Sequence, residues 1–357
     1  MTHANFLRSS NRSRRNLSNT TSTNMTESTM ESIECLATSV NQEAASLEFW
    51  CPVCHQSPLA KENLDLVCPA CSSSFPVVQG LPILINNANS VFAIEDYAAS
   101  NAFEGASYGS TYDSVSGLRG LYRKLVHRLS ETNIKSDELD AETALLNLCK
   151  ASPVRLKILV IGAGDRKYGD DADFVYTDVA FASEIHAIVD SHDLPFKNNC
   201  FDLVLAVAVL EHVASPQAVV DEIWRVLKPK GCVYAATPFL QPVHMGAYDF
   251  TRFTHLGHRR LFRKFSETAS GLALGPASAT ALTIRATIVS LAPGKAYRRF
   301  ANLFGIVFTF PLKYLDYLTR NNLSALDGAG GVYFFGRKEQ ETISDRSLIA
   351  MYRGGFK

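Results

Sequence analysis

The chain has no excess of charge of either sign. Its 357 residues carry 35 Lys and Arg against 35 Asp and Glu, so the basic surplus that holds phosphate backbones is missing, and general nucleic-acid binding is not expected. It lacks any uninterrupted apolar run of the roughly 18–20 residues that a bilayer span needs. Its first residues lack the continuous apolar stretch of a signal peptide, so a cytoplasmic protein is the expectation. A disulfide framework is excluded as well. Of the eight cysteines, Cys35, Cys149, Cys200 and Cys232 are scattered, and the other four form a pattern suited to a metal in a reducing compartment. Large apolar residues are scarce before residue 47, as in "SNTTSTNMTESTM". Such a segment cannot offset its ordering entropy, so residues 1–46 are expected to be disordered.

The composition allows a sizeable core, since 46% of the chain is apolar. Residues 47–88 hold Cys51-Pro-Val-Cys54 and Cys68-Pro-Ala-Cys71, two knuckles separated by 13 residues. Each brings two thiolates to one ion from a tight turn, and four sulfurs make a closed tetrahedral zinc site with no open position, hence structural. A unit this small needs such a staple. A redox pair, or a ribbon that has lost its metal, is the alternative. Residues 89–150 read as a helical linker packing on the domain C-terminal to it. Leu118, Leu121, Leu125 and Leu129 form one stripe there, with Arg119, Arg123, Lys124 and Arg128 elsewhere, and a membrane-surface helix is the other reading.

From residue 151 to about 340 strands and helices alternate. "RLKILVIGAG" is a strand ending in glycines, and "FDLVLAVAVLEHV" is apolar throughout, as a strand buried in a parallel sheet must be. "SPQAVVDEIWRVLKPKG" is a helix with Ser215 as N-cap and Pro216 in its first turn, closing at Gly231. "CVYAATP" and "GVYFFGRK" are further strands, and residues 341–357 form a tail. The pattern is that of an α/β, doubly wound sheet. Gly162, Ala163 and Gly164 form the turn after the first strand, where small residues let the backbone approach a ligand at the switch point. Asp178 ends the second strand, placed to accept both hydroxyls of a ribose. Asp190 and Ser191 end the third.

These motifs carry two resemblances. The unit "CPVC…LVCPACSSSFPVVQGLPILI" is similar to the small zinc-ribbon proteins that activate tRNA and protein methyltransferases. The series "DSHDLPF…FDLV…LEHV…RVLKPKG" resembles class I S-adenosylmethionine-dependent methyltransferases of the ubiquinone and menaquinone branch. That resemblance implies a seven-stranded Rossmann-like sheet behind a zinc ribbon. It sets Gly162 to Gly164 against the methionine part of the cofactor, Asp178 at the ribose, and Asp190 with Ser191 at the adenine edge. Two positions depart from the common pattern: Val160 stands where an acidic residue is usual, and Arg166 where a third glycine is. A nicotinamide dinucleotide would want GxGxxG, and Lys167 occupies its last glycine position.

"PFLQPVHMGAYDFTRFTHLGHRRLF", from Pro238 to Phe262, comes after the strand "CVYAATP" and divides at Thr254. Gln241, His244, Tyr248, Asp249 and Arg252 fit no helical or strand period. They make a loop at the ligand edge, with Gln241, Asp249 and Arg252 for substrate and His244 as a general base. Tyr248 would serve as a base only with a lowered pKa. His212 in "LEHV" resembles a position near the methyl acceptor, and a histidine capping the strand is the alternative. After Thr254, His258, Leu261, Phe262 and Phe265 form the buried stripe of a helix, leaving Arg259, Arg260, Arg263 and Lys264 on its exposed side. An insert at about 271–325 holds "FANLFGIVFTFPLKYLDYL", apolar and aromatic, flanked by Arg298 and Arg299. It reads as core packing, a lid, or a peripheral membrane contact suited to a lipid-like acceptor.

Three functions are open at this point. The first is a methyltransferase acting on an O or N nucleophile of a small-molecule, glycan or lipid-like acceptor. The second is an RNA or protein methyltransferase with its activator ribbon fused in cis. The third is a non-catalytic binding module on the same scaffold.

Overall fold

The computed structural model describes residues 48–100, 141–182 and 184–356. The expectations for residues 1–46 and for the leucine stripe at 118–129 lie outside these residues. Strands β1 (Ala60–Glu62), β2 (Asp65–Val67) and β3 (Ser74–Phe75) form a small antiparallel sheet around the cysteine knuckles. Strands β4 (Val77–Val78) and β5 (Leu81–Leu84) make a hairpin. Gln79 and Gly80 close it, both at positive φ (52° and 82°), the mirror-image turn that matches strand twist.

Helix α1 (Ile94–Ser100) and helix α2 (Ala141–Ala151) precede the large sheet. Its strands are β6 (Lys157–Ile161), β7 (Asp173–Asp178), β8 (Ala187–Val189), β9 (Phe201–Val207), β10 (Leu227–Pro238), β11 (Phe265–Leu274) and β12 (Gly331–Lys338). They lie in the order β11-β12-β10-β9-β6-β7-β8. The pairs from β10 to β8 are parallel, and β12 runs antiparallel to both β10 and β11. Through the parallel strands β10 to β8, chain order runs outward from β6 in both directions, so the switch point lies between β6 and β9. This is the expected doubly wound, seven-stranded Rossmann-like sheet. Every residue of β9 is buried, as a strand covered on both faces requires.

The tail of the cysteine-knuckle unit is part of that sheet, which its sequence does not announce. Strand β5 pairs in parallel with β8, Ile83 opposite Ile188 and Leu84 opposite Val189, so β5 and β4 extend seven strands to nine. Cys51, Cys68 and Phe75 share one core cluster with Phe196 and Phe201. The Trp50 amide donates to the Pro195 carbonyl at 2.8 Å.

Helix α3 (Pro216–Val226) begins as expected but ends earlier than Gly231. Leu227 is already extended and pairs with Phe201. Pro229 disfavours helix at the residue before it. Lys228 to Gly231 form a bulge into β10, held by Lys228 Nζ on Asp202 Oδ1 at 2.9 Å.

Helix α4 (His255–Leu261) corrects the expectation for Arg259, which is buried, 2% exposed. Two turns of helix set against β12 leave no fully solvated side. The guanidinium is held from within: Nη1 and Nη2 donate to the Phe262 and Phe265 carbonyls at 2.9 and 3.0 Å, and Nε forms an ion pair with Glu267 Oε2 at 2.9 Å. Arg260 stays at the surface with Asp345. His258 does face the core, edge-on to Phe262 at 5.1 Å, and burial pushes its pKa down to about 3. A histidine that titrates near 6.5 when unfolded and near 3 when folded adds full stability above pH 6.5 and loses it as pH falls between those values. At pH 5 the loss from His258 is expected to be about 2 kcal/mol. Urea unfolding at pH 7 and pH 5 should show it, and His258→Phe should shrink the difference by a similar amount.

The insert is a hairpin of helices, α5 (Pro276–Ser290) and α6 (Lys295–Thr309). Asp316 caps α5, its carboxylate accepting from the Ala277 and Ser278 amides at 2.8 and 2.9 Å. Tyr297, Phe300, Phe304 and Phe308 are exposed on α6. Among the described residues no helix is long and apolar enough to cross a membrane.

Candidate functional site

The carboxyl ends of β6, β7, β8, β9 and β10 deliver the candidate residues to one edge of the sheet. Gly162 and Gly164 have φ of +59° and +54°, where a side chain is strained. A Cβ on Gly162 would lie 2.5 Å from Val209 Cγ2, so the turn after β6 rests directly on the segment after β9. A Cβ on Gly164 would meet nothing within 4 Å, which leaves open space above that backbone. Ala163 between them is buried, its amide on the Thr177 carbonyl at 3.0 Å.

Asp178 is buried at the end of β7. Its Oδ2 accepts from the Gly164 amide at 2.8 Å and its Oδ1 from the Ala180 amide at 2.9 Å. Burial raises its pKa above the usual carboxylate range. Each oxygen keeps a further lone pair for a ligand hydroxyl. Asp190 and Ser191 are buried after β8. Asp190 Oδ1 holds the His192 ring at 2.6 Å, and Oδ2 accepts from Ser90 Oγ. Val160 is core, and Arg166 Nη1 donates to the Val207 carbonyl at 3.2 Å. Open backbone at Gly164 and a buried carboxylate with spare acceptors fit a nucleoside cofactor.

The segment after β5 completes this edge, and no motif points to it. Besides Ser90, the Tyr97 hydroxyl donates to the Val179 carbonyl at 2.6 Å, and Asn86 and Asn89 both donate to Asp193. The one signal in the sequence is "NNANS", a turn-forming run directly after a strand.

On the other side of Val209 lies a second cluster. His212 Nδ1 donates to the Tyr248 carbonyl at 2.8 Å. His244 Nδ1 lies 3.5 Å from Asp249 Oδ2, and the two imidazoles meet edge to face at 4.9 Å. Burial pushes the His212 pKa down to about 4 and lowers that of His244. Between them sits Glu211, fully buried, its carboxyl pushed up to about 8 by burial. Glu211 is visible in "LEHV", but the motif gives it no role of its own.

The structure therefore brings His212, His244, Tyr248 and Asp249 together. The Tyr248 ring stacks on Phe92 at 5.6 Å. Gln241 and Arg252 hold the loop itself. Gln241 Nε2 donates to the Gly330 carbonyl at 2.8 Å, while Arg252 pairs with Asp249 through two nitrogens and donates to the Gln241 carbonyl at 3.3 Å. The Phe250 and Thr251 amides donate to the Glu211 carbonyl at 2.8 and 3.2 Å, fastening loop to strand end.

Away from this edge, the Sγ atoms of Cys51, Cys54, Cys68 and Cys71 all lie within 4.8 Å of one another. Cys51 to Cys71 and Cys54 to Cys68 are each 3.6 Å. A tetrahedral ion with bonds of about 2.3 Å to sulfur would set them about 3.8 Å apart. The knuckles are built alike. His55 and Ser72 come directly after them at φ of 53° and 61°, and their amides return to the Cys51 and Cys68 carbonyls.

Comparison with known proteins agrees with this edge. Residues 172–235 match the family described as "Methyltransferase domain". The fold, the glycine turn and that match define an enzyme, a methyltransferase that uses S-adenosylmethionine. No curated protein matches the chain. Solved structures with a similar fold include a Haemonchus contortus phosphoethanolamine N-methyltransferase in complex with S-adenosylmethionine (14% identity, 62% of this chain and 57% of that one, TM-score 0.37). They also include a putative sarcosine dimethylglycine methyltransferase from Galdieria sulphuraria (15%, 65% and 91%, TM-score 0.35). A third is a complex between the Haloferax volcanii Trm112 methyltransferase activator and a putative methyltransferase (19%, 53% and 85%, TM-score 0.34).

Proposed function

We propose that the chain transfers a methyl group to an O or N nucleophile of a small-molecule, glycan or lipid-like acceptor held by the loop from Gln241 to Arg252. The observation that carries this reading is the contact at Val209, which sets the Gly162–Gly164 turn against the strand end bearing Glu211 and His212. The bound cofactor supplies a methyl group on a sulfonium, open to in-line displacement. Gly162, Ala163 and Gly164 would line its methionine part, Asp178 would accept the ribose hydroxyls, and Asp190 with Ser191 would border the adenine. His212, His244 and Tyr248, with Glu211, form the acceptor side. They hold the nucleophile in line and favour its deprotonated form. Asp249 and Arg252 fix His244, and Gln241 fixes the loop. The four cysteines would hold a structural zinc ion.

The exposed aromatic face of α6 favours one variant of this reading, a lipid-like acceptor met at a membrane surface. Labelled methyl transfer against fractionated cell extract separates these cases. Label in the small-molecule, glycan or lipid fraction supports the proposal. Label confined to RNA or protein overturns it in favour of an activator ribbon fused in cis. With the acceptor in hand, His244→Ala should lower kcat/KM at least about tenfold and leave cofactor binding unchanged. Unaltered turnover would remove His244 from the site.

A further inference from the structure

We propose that Glu211, His212 and His244 form a second metal site, for a divalent transition ion of the zinc or iron(II) type. Glu211 is 0% exposed, and neither carboxylate oxygen has a hydrogen-bond partner among the described residues. A buried carboxylate in that state is costly unless a cation or a proton meets it. Its Oε1 lies 3.6 Å from His212 Nε2 and 3.8 Å from His244 Nε2, and one donor atom from each of the three residues falls within 4.8 Å of the others. Bonds of about 2.0–2.1 Å to tetrahedral zinc would place such donors about 3.3–3.4 Å apart, so each imidazole needs to approach the Glu211 carboxylate by only a few tenths of an ångström.

The surrounding groups already orient both rings as ligands. His212 donates through Nδ1 to the Tyr248 carbonyl, which leaves the lone pair on Nε2, the atom that faces Glu211. His244 turns Nδ1 toward Asp249, which also accepts the His244 amide at 2.9 Å and pairs with Arg252. A carbonyl behind one ring and a carboxylate behind the other is the usual outer shell of metal-binding histidines. Two imidazoles and one carboxylate make a ligand set that leaves coordination positions open. Nearby positive charge does not replace the ion. Arg252 is taken by Asp249, and Arg166 by the Val207 carbonyl.

The consequence for the acceptor rests on the methyl-transfer reading above. A hydroxyl bound in the open position becomes acidic, as water does when zinc lowers its pKa to about 7. Its proton leaves to solvent, the sulfonium S–CH3 bond breaks as O–CH3 forms, and the demethylated thioether departs. The acceptor is then an alcohol or phenol rather than an amine.

The test is metal content of the full-length protein after equilibration with Zn²⁺ or Co²⁺ and removal of excess ion. The wild type should hold two ions per chain, and Glu211→Gln and His244→Ala one each. In the cobalt form both variants should keep the thiolate charge-transfer band of the cysteine site and lose the separate, weaker d–d bands. Asp249→Asn should weaken the second site about 10–100-fold without abolishing it. One ion in the wild type, or cobalt bands unaltered in both variants, overturns the proposal even if a variant folds poorly. Calorimetry with S-adenosylmethionine keeps the two readings apart. One ion with cofactor binding intact ends the metal site alone, and two ions without cofactor binding end the methyltransferase site alone.

Discussion

Replacing Cys68 and Cys71 with serine, or stripping the zinc ion proposed for the four cysteines with a chelator, is expected to destabilise the whole chain and not the cysteine unit alone. A structural zinc ion contributes on the order of 10–16 kcal/mol to the folding of a small unit that has little other core. Here that unit is continuous with the large sheet. Strand β5 is the parallel neighbour of β8, Trp50 bonds to Pro195, and Cys51, Cys68 and Phe75 are buried in one cluster with Phe196 and Phe201. The segment after β5 then supplies Ser90 to Asp190 and Tyr97 to the strand end at Val179. Loss of the metal should therefore expose the edge of β8 and loosen the loop at Asp190. A loss of only a few kcal/mol at this junction would lower the melting temperature by about 10 °C for a domain of this size. Thermal melting gives the overall effect, and hydrogen exchange at Ile188 and Val189 locates it. An unchanged melting temperature with zinc removed, or exchange confined to residues 50–75, would show that the ribbon is an independent appendage.

Periodicity and motif order made the parallel strands legible, because a strand buried on both faces leaves a run such as "FDLVLAV" that little else produces. The places of the glycine turn and of Asp178 in the fold were legible because a turn at positive φ and a strand-end carboxylate each leave one distinctive residue. The joining of ribbon to sheet was not legible. Parallel pairing of β5 with β8 is decided by packing across roughly a hundred residues of sequence, and "LPILI" carries no mark of its partner. Arg259 misled for a related reason. A helical wheel assigns faces for a helix resting on one surface, whereas α4 is only two turns long and leaves Arg260 but not Arg259 at the surface, and the carbonyls that hold the Arg259 guanidinium come from the next turn of chain. Glu211 was hidden differently. A motif letter gives an identity but not that the carboxylate would be enclosed with two imidazoles, one of them from a loop 33 positions further on.

Asp178→Ala is expected to weaken binding of S-adenosylmethionine and of its demethylated product alike, by one to two orders of magnitude. Two losses combine. The carboxylate that would accept the ribose hydroxyls is gone, and a hydrogen bond to a charged group contributes about 1.5–3 kcal/mol, roughly 10- to 150-fold in affinity. The Gly164 amide also loses its acceptor, so the turn that presents open backbone to the cofactor is no longer fastened at Asp178 Oδ2. Asp178→Asn separates the two losses only in part. Its amide nitrogen must face the amide of either Gly164 or Ala180, both of which donate to the carboxylate. It should therefore fall between wild type and alanine. Because ribose is common to substrate and product, both ligands should lose affinity by the same factor, which calorimetry measures directly. In turnover the change should appear as a raised KM for the cofactor, with the KM for the acceptor unmoved. His244→Ala should give the opposite split. Equal binding by wild type and Asp178→Ala would mean that the ribose is held elsewhere on this edge, and the assignment of Asp178 would fall with it.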